Sequence, residues 1–93
     1  FPYTTLFRSS TVYSYDGINW IGGTNPFTDQ GNDVTWNGIL WYAVGDGGEY
    51  TYSYDGINFV VSYVLDSNYD INSIAWNGNM WLISDGMFAR SLP

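Results

Sequence analysis

Cysteine, histidine and lysine are absent from this 93-residue chain, and arginine occurs only as Arg8 and Arg90. Without cysteine there are no disulfides, no thiol nucleophile and no thiolate metal site. Without histidine the usual side chain for proton transfer near neutral pH is missing. Phosphate backbones are bound by clustered lysine and arginine, so no nucleic-acid partner is expected. Nine acidic residues leave a formal net charge of −7, which disfavours anionic membrane surfaces. No apolar run approaches the roughly 20 residues of a membrane helix, so no membrane insertion is expected. No basic region followed by an apolar one marks a secretory signal. A sustained 3.6-residue apolar period is also missing, so no helix is predicted.

What is abundant is aromatic: five Trp, nine Tyr and five Phe, 20% of the chain. Many of them recur. Tyr-Ser-Tyr-Asp-Gly-Ile-Asn occurs at Tyr13–Asn19 and again at Tyr52–Asn58. Trp36-Asn37-Gly38 returns as Trp76-Asn77-Gly78, Trp41 as Trp81, and Asp46-Gly47 as Asp85-Gly86. The displacement is 39 or 40 residues (Tyr13 to Tyr52, Trp36 to Trp76). A period of about 40 is the length of one four-stranded propeller blade.

Strand signals fill the repeat. Asp33–Trp36, Ile39–Val44, Glu49–Tyr54 and Asn58–Val64 read as four antiparallel strands. They are joined by tight turns at Asn37-Gly38 and Asp55-Gly56 and by a Gly-rich loop at 45–48. The flanking copies are partial. Thr11–Tyr15 and Asn19–Gly22 match strands three and four. Ile71–Trp76 and Asn79–Ser84 match strands one and two, with a turn at Asn77-Gly78. Phe88–Ser91 matches the start of strand three, with Ser91 aligned to Ser14 and Ser53. The expected fold is therefore all-β: a partial β-propeller of four-stranded antiparallel blades, comprising half a blade, one whole blade and part of a third. Ile39–Val44 is apolar at every position, as a strand covered on both faces should be.

Ser14-Tyr15-Asp16-Gly17-Ile18-Asn19-Trp20 and Ser53-Tyr54-Asp55-Gly56-Ile57-Asn58-Phe59 resemble the Asp-box, or BNR repeat, in which Ser is followed by Asp, Gly and an aromatic. The spacing from Asp to the aromatic is one residue shorter than in the common motif. The resemblance covers residues 11–91. It implies a β-propeller, a motif that staples the fold and does not catalyse, and an extracellular, cell-surface or virion-surface setting. The physical reading of the same residues is local. Asp16 and Asp55 can accept backbone N–H bonds across the turn, Gly17 and Gly56 allow positive φ, and Trp20 and Phe59 can anchor the turn by packing inward.

Asp46 and Asp85 read as ordinary turn carboxylates. Calcium needs six to eight oxygens, and each loop offers one or two acids, so no metal or cofactor is expected. A sialidase-like site would need an arginine cluster for the substrate carboxylate, and only Arg90 lies within the repeats. No spacing singles out a pair of acids for glycosidic-bond chemistry. The expected role is a non-catalytic recognition or scaffold module of a larger protein, with an unknown protein or glycan as ligand. One alternative is a carbohydrate-binding propeller. Another is part of a propeller-type glycoside hydrolase whose site lies elsewhere. Self-association through open blade faces and edges is also expected.

Phe1–Ser9 has no counterpart in the repeat and resembles the translation of a short DNA-sequencing adapter. That resemblance implies a conceptual translation of environmental DNA. Residues 1–9 are then a non-native peptide expected to contribute little to the fold, and residues 10–93 a piece of one propeller domain.

Overall fold

The computed structural model describes residues 2–92. Phe1 and Pro93, which the segments 1–9 and 10–93 include, lie outside the described residues. The chain is all-β, with ten strands in three antiparallel sheets among the described residues. A single 3-10 turn, Asp46–Gly48, is the only helical element among the described residues.

The N-terminal sheet holds β1 (Tyr3–Phe7), β2 (Ser10–Ser14) and β3 (Ile21–Gly22) in that order. The middle sheet holds β4 (Gly31–Trp36), β5 (Trp41–Gly45), β6 (Glu49–Ser53) and β7 (Tyr63–Val64), also in sequence order. The C-terminal sheet holds β8 (Ser73–Trp76), β9 (Trp81–Ser84) and β10 (Ala89–Ser91).

The repeat register is kept. Trp36 pairs with Trp41 and Trp76 with Trp81, so the two Trp-Asn-Gly hairpins are the same unit. Their turns differ from the expected form. Asn37 and Asn77 keep negative φ, and Gly38 and Gly78 alone turn positive, both at 101°. The central turn residues are thus Gly38-Ile39 and Gly78-Asn79, one position later than an Asn-Gly type I′ turn would place them. The asparagine side chain is the reason. Asn37 Oδ1 accepts Ile39 N and Leu40 N, each at 2.9 Å, and Asn77 Oδ1 accepts Asn79 N and Met80 N. An Asx-turn acceptor suits the position before the turn. Consequently β5 starts at Trp41, and Ile39 sits exposed in the turn. Within β5 the expectation of cover on both faces holds, for Ala43 and Val44 point to opposite sides and both are buried.

Two apolar clusters fill the gaps between sheets. Phe27, Ala43 and Phe59, with Leu6, Val34 and Trp41, lie between the N-terminal and middle sheets. Val44, Ile71, Ile74, Trp81, Ile83 and others lie between the middle and C-terminal sheets. Each sheet therefore has a front and a back. Trp41 and Ala43 face forward onto the N-terminal sheet, and Tyr42 and Val44 face back onto the C-terminal one. Trp81 and Ile83 repeat the forward face, with the Tyr42 and Trp81 rings 4.8 Å apart.

Two further differences concern the ends. Ser91 pairs with Leu82, whereas Ser53 pairs with Trp41. The residue opposite Trp81 is Leu92, whose N–H donates to the Trp81 carbonyl at 3.0 Å. Ser91 therefore matches Tyr52, because the loop before β10 has a different length. Residues 3–7 are also part of the fold. β1 pairs with β2 over five positions, and Tyr3 meets Ser14 as Trp41 meets Ser53. Thr4 Oγ1 donates to the Gly56 carbonyl at 2.8 Å, Gly31 N to the Arg8 carbonyl at 2.8 Å, and Leu6 packs in the first cluster. Tyr3-Thr4-Thr5-Leu6-Phe7 is rich in β-formers, a local strand signal independent of the repeat.

Candidate functional site

The two Ser-x-Asp-Gly turns follow β2 and β6. Ser14 and Ser53 end those strands as buried hydroxyls. Each Oγ accepts two backbone N–H groups: Asp16 and Gly17 in the first turn, Asp55 and Gly56 in the second, at 2.8–3.3 Å. Each hydroxyl donates its proton to the following aspartate Oδ1. That Oδ1 also accepts two further N–H groups, Ile18 and Asn19 or Ile57 and Asn58, all at 2.8 Å. The other oxygen accepts the amide of Asn19 or Asn58 at 2.9 Å. Gly17 at φ 78° and Gly56 at φ 76° supply the left-handed residue. The asparagines lay within the repeated heptapeptide, so the signal for their role was present in the sequence.

These donors stabilise the ionised carboxylate. The Asn19 and Ile18 N–H groups hold Asp16 well below the usual carboxylate range. At Asp55 burial pushes the other way, and the Asn58 and Ile57 N–H groups with the Asn58 and Ser53 side chains outweigh it. A third, partial copy closes the loop between β9 and β10. Asp85 Oδ1 accepts Met87 N and Phe88 N, and Ser84 Oγ accepts Gly86 N. Phe88 and Met87 N–H lower the Asp85 carboxyl as well. Asp46, at the matching place in the middle sheet, instead accepts the Asn32 side chain at 2.9 Å. A bulge in β4 between Gly31 and Asp33 aims Asn32 there and onto the Ile71 carbonyl at 2.8 Å.

The aromatic anchors do not behave alike. Phe59 is 7% exposed within the first cluster, whereas Trp20 is 45% exposed on the open front of the N-terminal sheet. Trp20 does not pack inward as Phe59 does, since among the described residues no sheet lies in front of it.

One carboxylate escaped the sequence reading. Glu49, first in β6, is buried and accepts Thr28 N, Thr28 Oγ1 and Ser62 Oγ at 2.9–3.1 Å. It ties the connector between sheets to the stretch before β7. No spacing marks it, because its partners are distant in sequence and unremarkable in type. Among the described residues, no group of three or more acids is placed to hold a metal ion.

Tyrosines form exposed pairs beside these turns. Tyr13 and Tyr15 meet edge-on at 5.9 Å and 85°, and Tyr52 and Tyr54 at 6.0 Å and 86°. Tyr15 is 65% exposed and Tyr54 66%. In the middle sheet the row continues through Tyr42 and Tyr50 to Tyr63, with neighbouring rings 5.6–6.2 Å apart. Burial raises the Tyr42 hydroxyl pKa, and its tyrosine neighbours add to the shift.

No helix among the described residues is long and apolar enough to cross a membrane. Comparison with protein-family models, characterised proteins and solved structures finds no match.

Proposed function

We propose that the chain is a non-catalytic recognition or scaffold module, a portion of an Asp-box β-propeller. The observation that carries this reading is how the repeated polar groups are used. Asp16 and Asp55 each take four hydrogen bonds from their own turn. A carboxylate so saturated serves as a turn staple and is a poor nucleophile or proton acceptor. Three consecutive antiparallel sheets, stacked front to back with a period near 40 residues, support the propeller reading.

A second reading, carbohydrate binding, is favoured by the tyrosine pairs. The N-terminal sheet has a complete four-stranded neighbour behind it, and Tyr15 is still as exposed as Tyr54. Exposure of this pair therefore belongs to the repeat and not to a missing neighbour. Aromatic faces beside polar turns are what stacking on sugar rings requires. Glycan-array binding by the 93-residue chain, compared with Tyr15→Ala and Tyr54→Ala, tests this reading. Binding lost in both variants with unchanged melting supports it; binding that survives both removes it and leaves the scaffold role.

A further inference from the structure

We propose that the open front of the N-terminal sheet is a docking surface for a second copy of this chain, presented by the open back of its C-terminal sheet. Both junctions inside the molecule have the same polarity. The front of the middle sheet, with Trp41 and Ala43, lies on the back of the N-terminal sheet, which carries Leu6 and Thr4. The front of the C-terminal sheet, with Trp81 and Ile83, lies on the back of the middle sheet, which carries Tyr42 and Val44.

Register then identifies what each end leaves open. Tyr3 and Thr5 in β1 match Trp41 and Ala43, and Trp20 matches Phe59. Tyr3 and Trp20 are exposed, whereas Phe59 is buried. At the other end Leu82 matches Tyr42, and its partner Ala75 lies beside it on β8. Both face away from the core, Leu82 at 38% exposure. In backbone register the open front and the open back are each half of a junction that the molecule already makes, with Tyr3, Thr5 and Trp20 at the places of Trp41, Ala43 and Phe59, and Leu82 and Ser84 at those of Tyr42 and Val44. The contact is head to tail, so each copy keeps a free front or back, and association continues to a ring or an open chain. The net charge of −7 opposes it, and salt should weaken that opposition.

Sedimentation of the 93-residue chain at several concentrations and two salt concentrations tests the proposal. The expected result is a mass that rises beyond a dimer with concentration and with salt. Trp20→Asp blocks only the front and Leu82→Glu only the back, so each alone should remain at 10.5 kDa. Their mixture should form a dimer, because one intact front meets one intact back. Ala75→Glu substitutes for Leu82→Glu if circular dichroism shows that the latter is unfolded. A wild-type chain that stays monomeric, a mixture that stays monomeric, or a Trp20→Asp chain that assembles like wild type would each overturn the proposal.

Discussion

Ser14–Trp20 and Ser53–Phe59 differ only at the last of seven positions, Trp20 against Phe59, and their hydrogen bonds are the same. Their surroundings are not. The second turn lies under the N-terminal sheet, where Thr4 reaches the Gly56 carbonyl and Thr24 Oγ1 accepts Phe59 N at 3.2 Å. Among the described residues, no sheet lies in front of the first turn. The local sequence is enough to form the turn, but the neighbouring sheet decides how much the turn contributes to stability. Substitutions at paired positions separate these two contributions.

The largest difference is expected at the anchors. Phe59→Ala removes a buried ring and should cost about 3–5 kcal/mol. That is much of the stability of a domain this small, roughly 0.05–0.15 kcal/mol per residue. Trp20→Ala, at a position exposed in the single copy, should cost under about 1 kcal/mol at concentrations low enough to keep copies apart. Urea midpoints for the two variants check this. Equal losses would mean that Trp20 is covered in solution, and the loss would then depend on protein concentration.

The glycines come next. Gly17 and Gly56 share a left-handed φ, so alanine costs roughly 1–2 kcal/mol at either. At Gly56 a Cβ would also sit 2.7 Å from Thr4 Oγ1 and 2.8 Å from Trp41 Nε1, whereas at Gly17 the nearest atom is Tyr3 at 3.9 Å. Overpacking should add about 1–3 kcal/mol to Gly56→Ala alone. Thermal melts in which both variants fall equally would show that the N-terminal sheet does not press on the second turn.

Removing residues 1–9 extends the comparison from one residue to the whole covering strand. Without β1, the Thr4 and Leu6 contacts are lost, while Thr24 Oγ1 still accepts Phe59 N. A loss of about 2 kcal/mol is expected, which lowers the melting temperature by more than about 8 °C in a domain this size. A smaller drop would return this segment to the role of a passive appendage, as its resemblance to an adapter implies.

Much of this architecture was legible, because a repeat reports itself. The Trp-Asn-Gly and Ser-x-Asp-Gly matches placed the first three strands of the middle sheet and the partial sheets on either side. The fourth strand, expected over Asn58–Val64 after a tight hairpin, is only Tyr63–Val64, because the Asp55 turn opens into a long loop after Ser53. Errors arose where a side chain or a loop length overrode a local pattern. Asn37 and Asn77 read as the first residue of an Asn-Gly turn, but their side-chain Oδ1 atoms cap the turn from outside and shift it by one position. Ser91 read as the counterpart of Ser53 until strand pairing placed Leu92 opposite Trp81. Trp20 read as an anchor because nothing local distinguishes it from Phe59. Burial is a property of the neighbour, and the repeat does not encode whether a neighbour is present. β1 was missed for a related reason, since its match to β5 lies in backbone register and not in residue identity.

The smallest effect should be in the pH dependence, and it too divides between the turns. Asp16, Asp55 and Asp85 all have depressed folded-state pKa values. A depressed carboxyl adds stability that is fully present above its unfolded pKa, about 4, and that is lost as pH falls through the folded value. Stability should therefore be flat from neutral pH down to about pH 5 and decline below about pH 4. Asp16 and Asp55 are solvent-exposed and Asp85 is partly so, and screening limits what all three shifts contribute. Asp55 lies in the covered turn, and Asp55→Ala should cost roughly 1–2 kcal/mol at pH 7 through lost acceptors for turn N–H groups. The same variant should show a shallower decline between pH 4 and pH 2, because one of the groups responsible is gone. Denaturant midpoints measured from pH 7 to pH 2 on wild type, Asp16→Ala and Asp55→Ala decide the matter. If Asp16→Ala flattens the acid limb as much as Asp55→Ala does, the covering sheet adds nothing to the electrostatics of the turn beneath it.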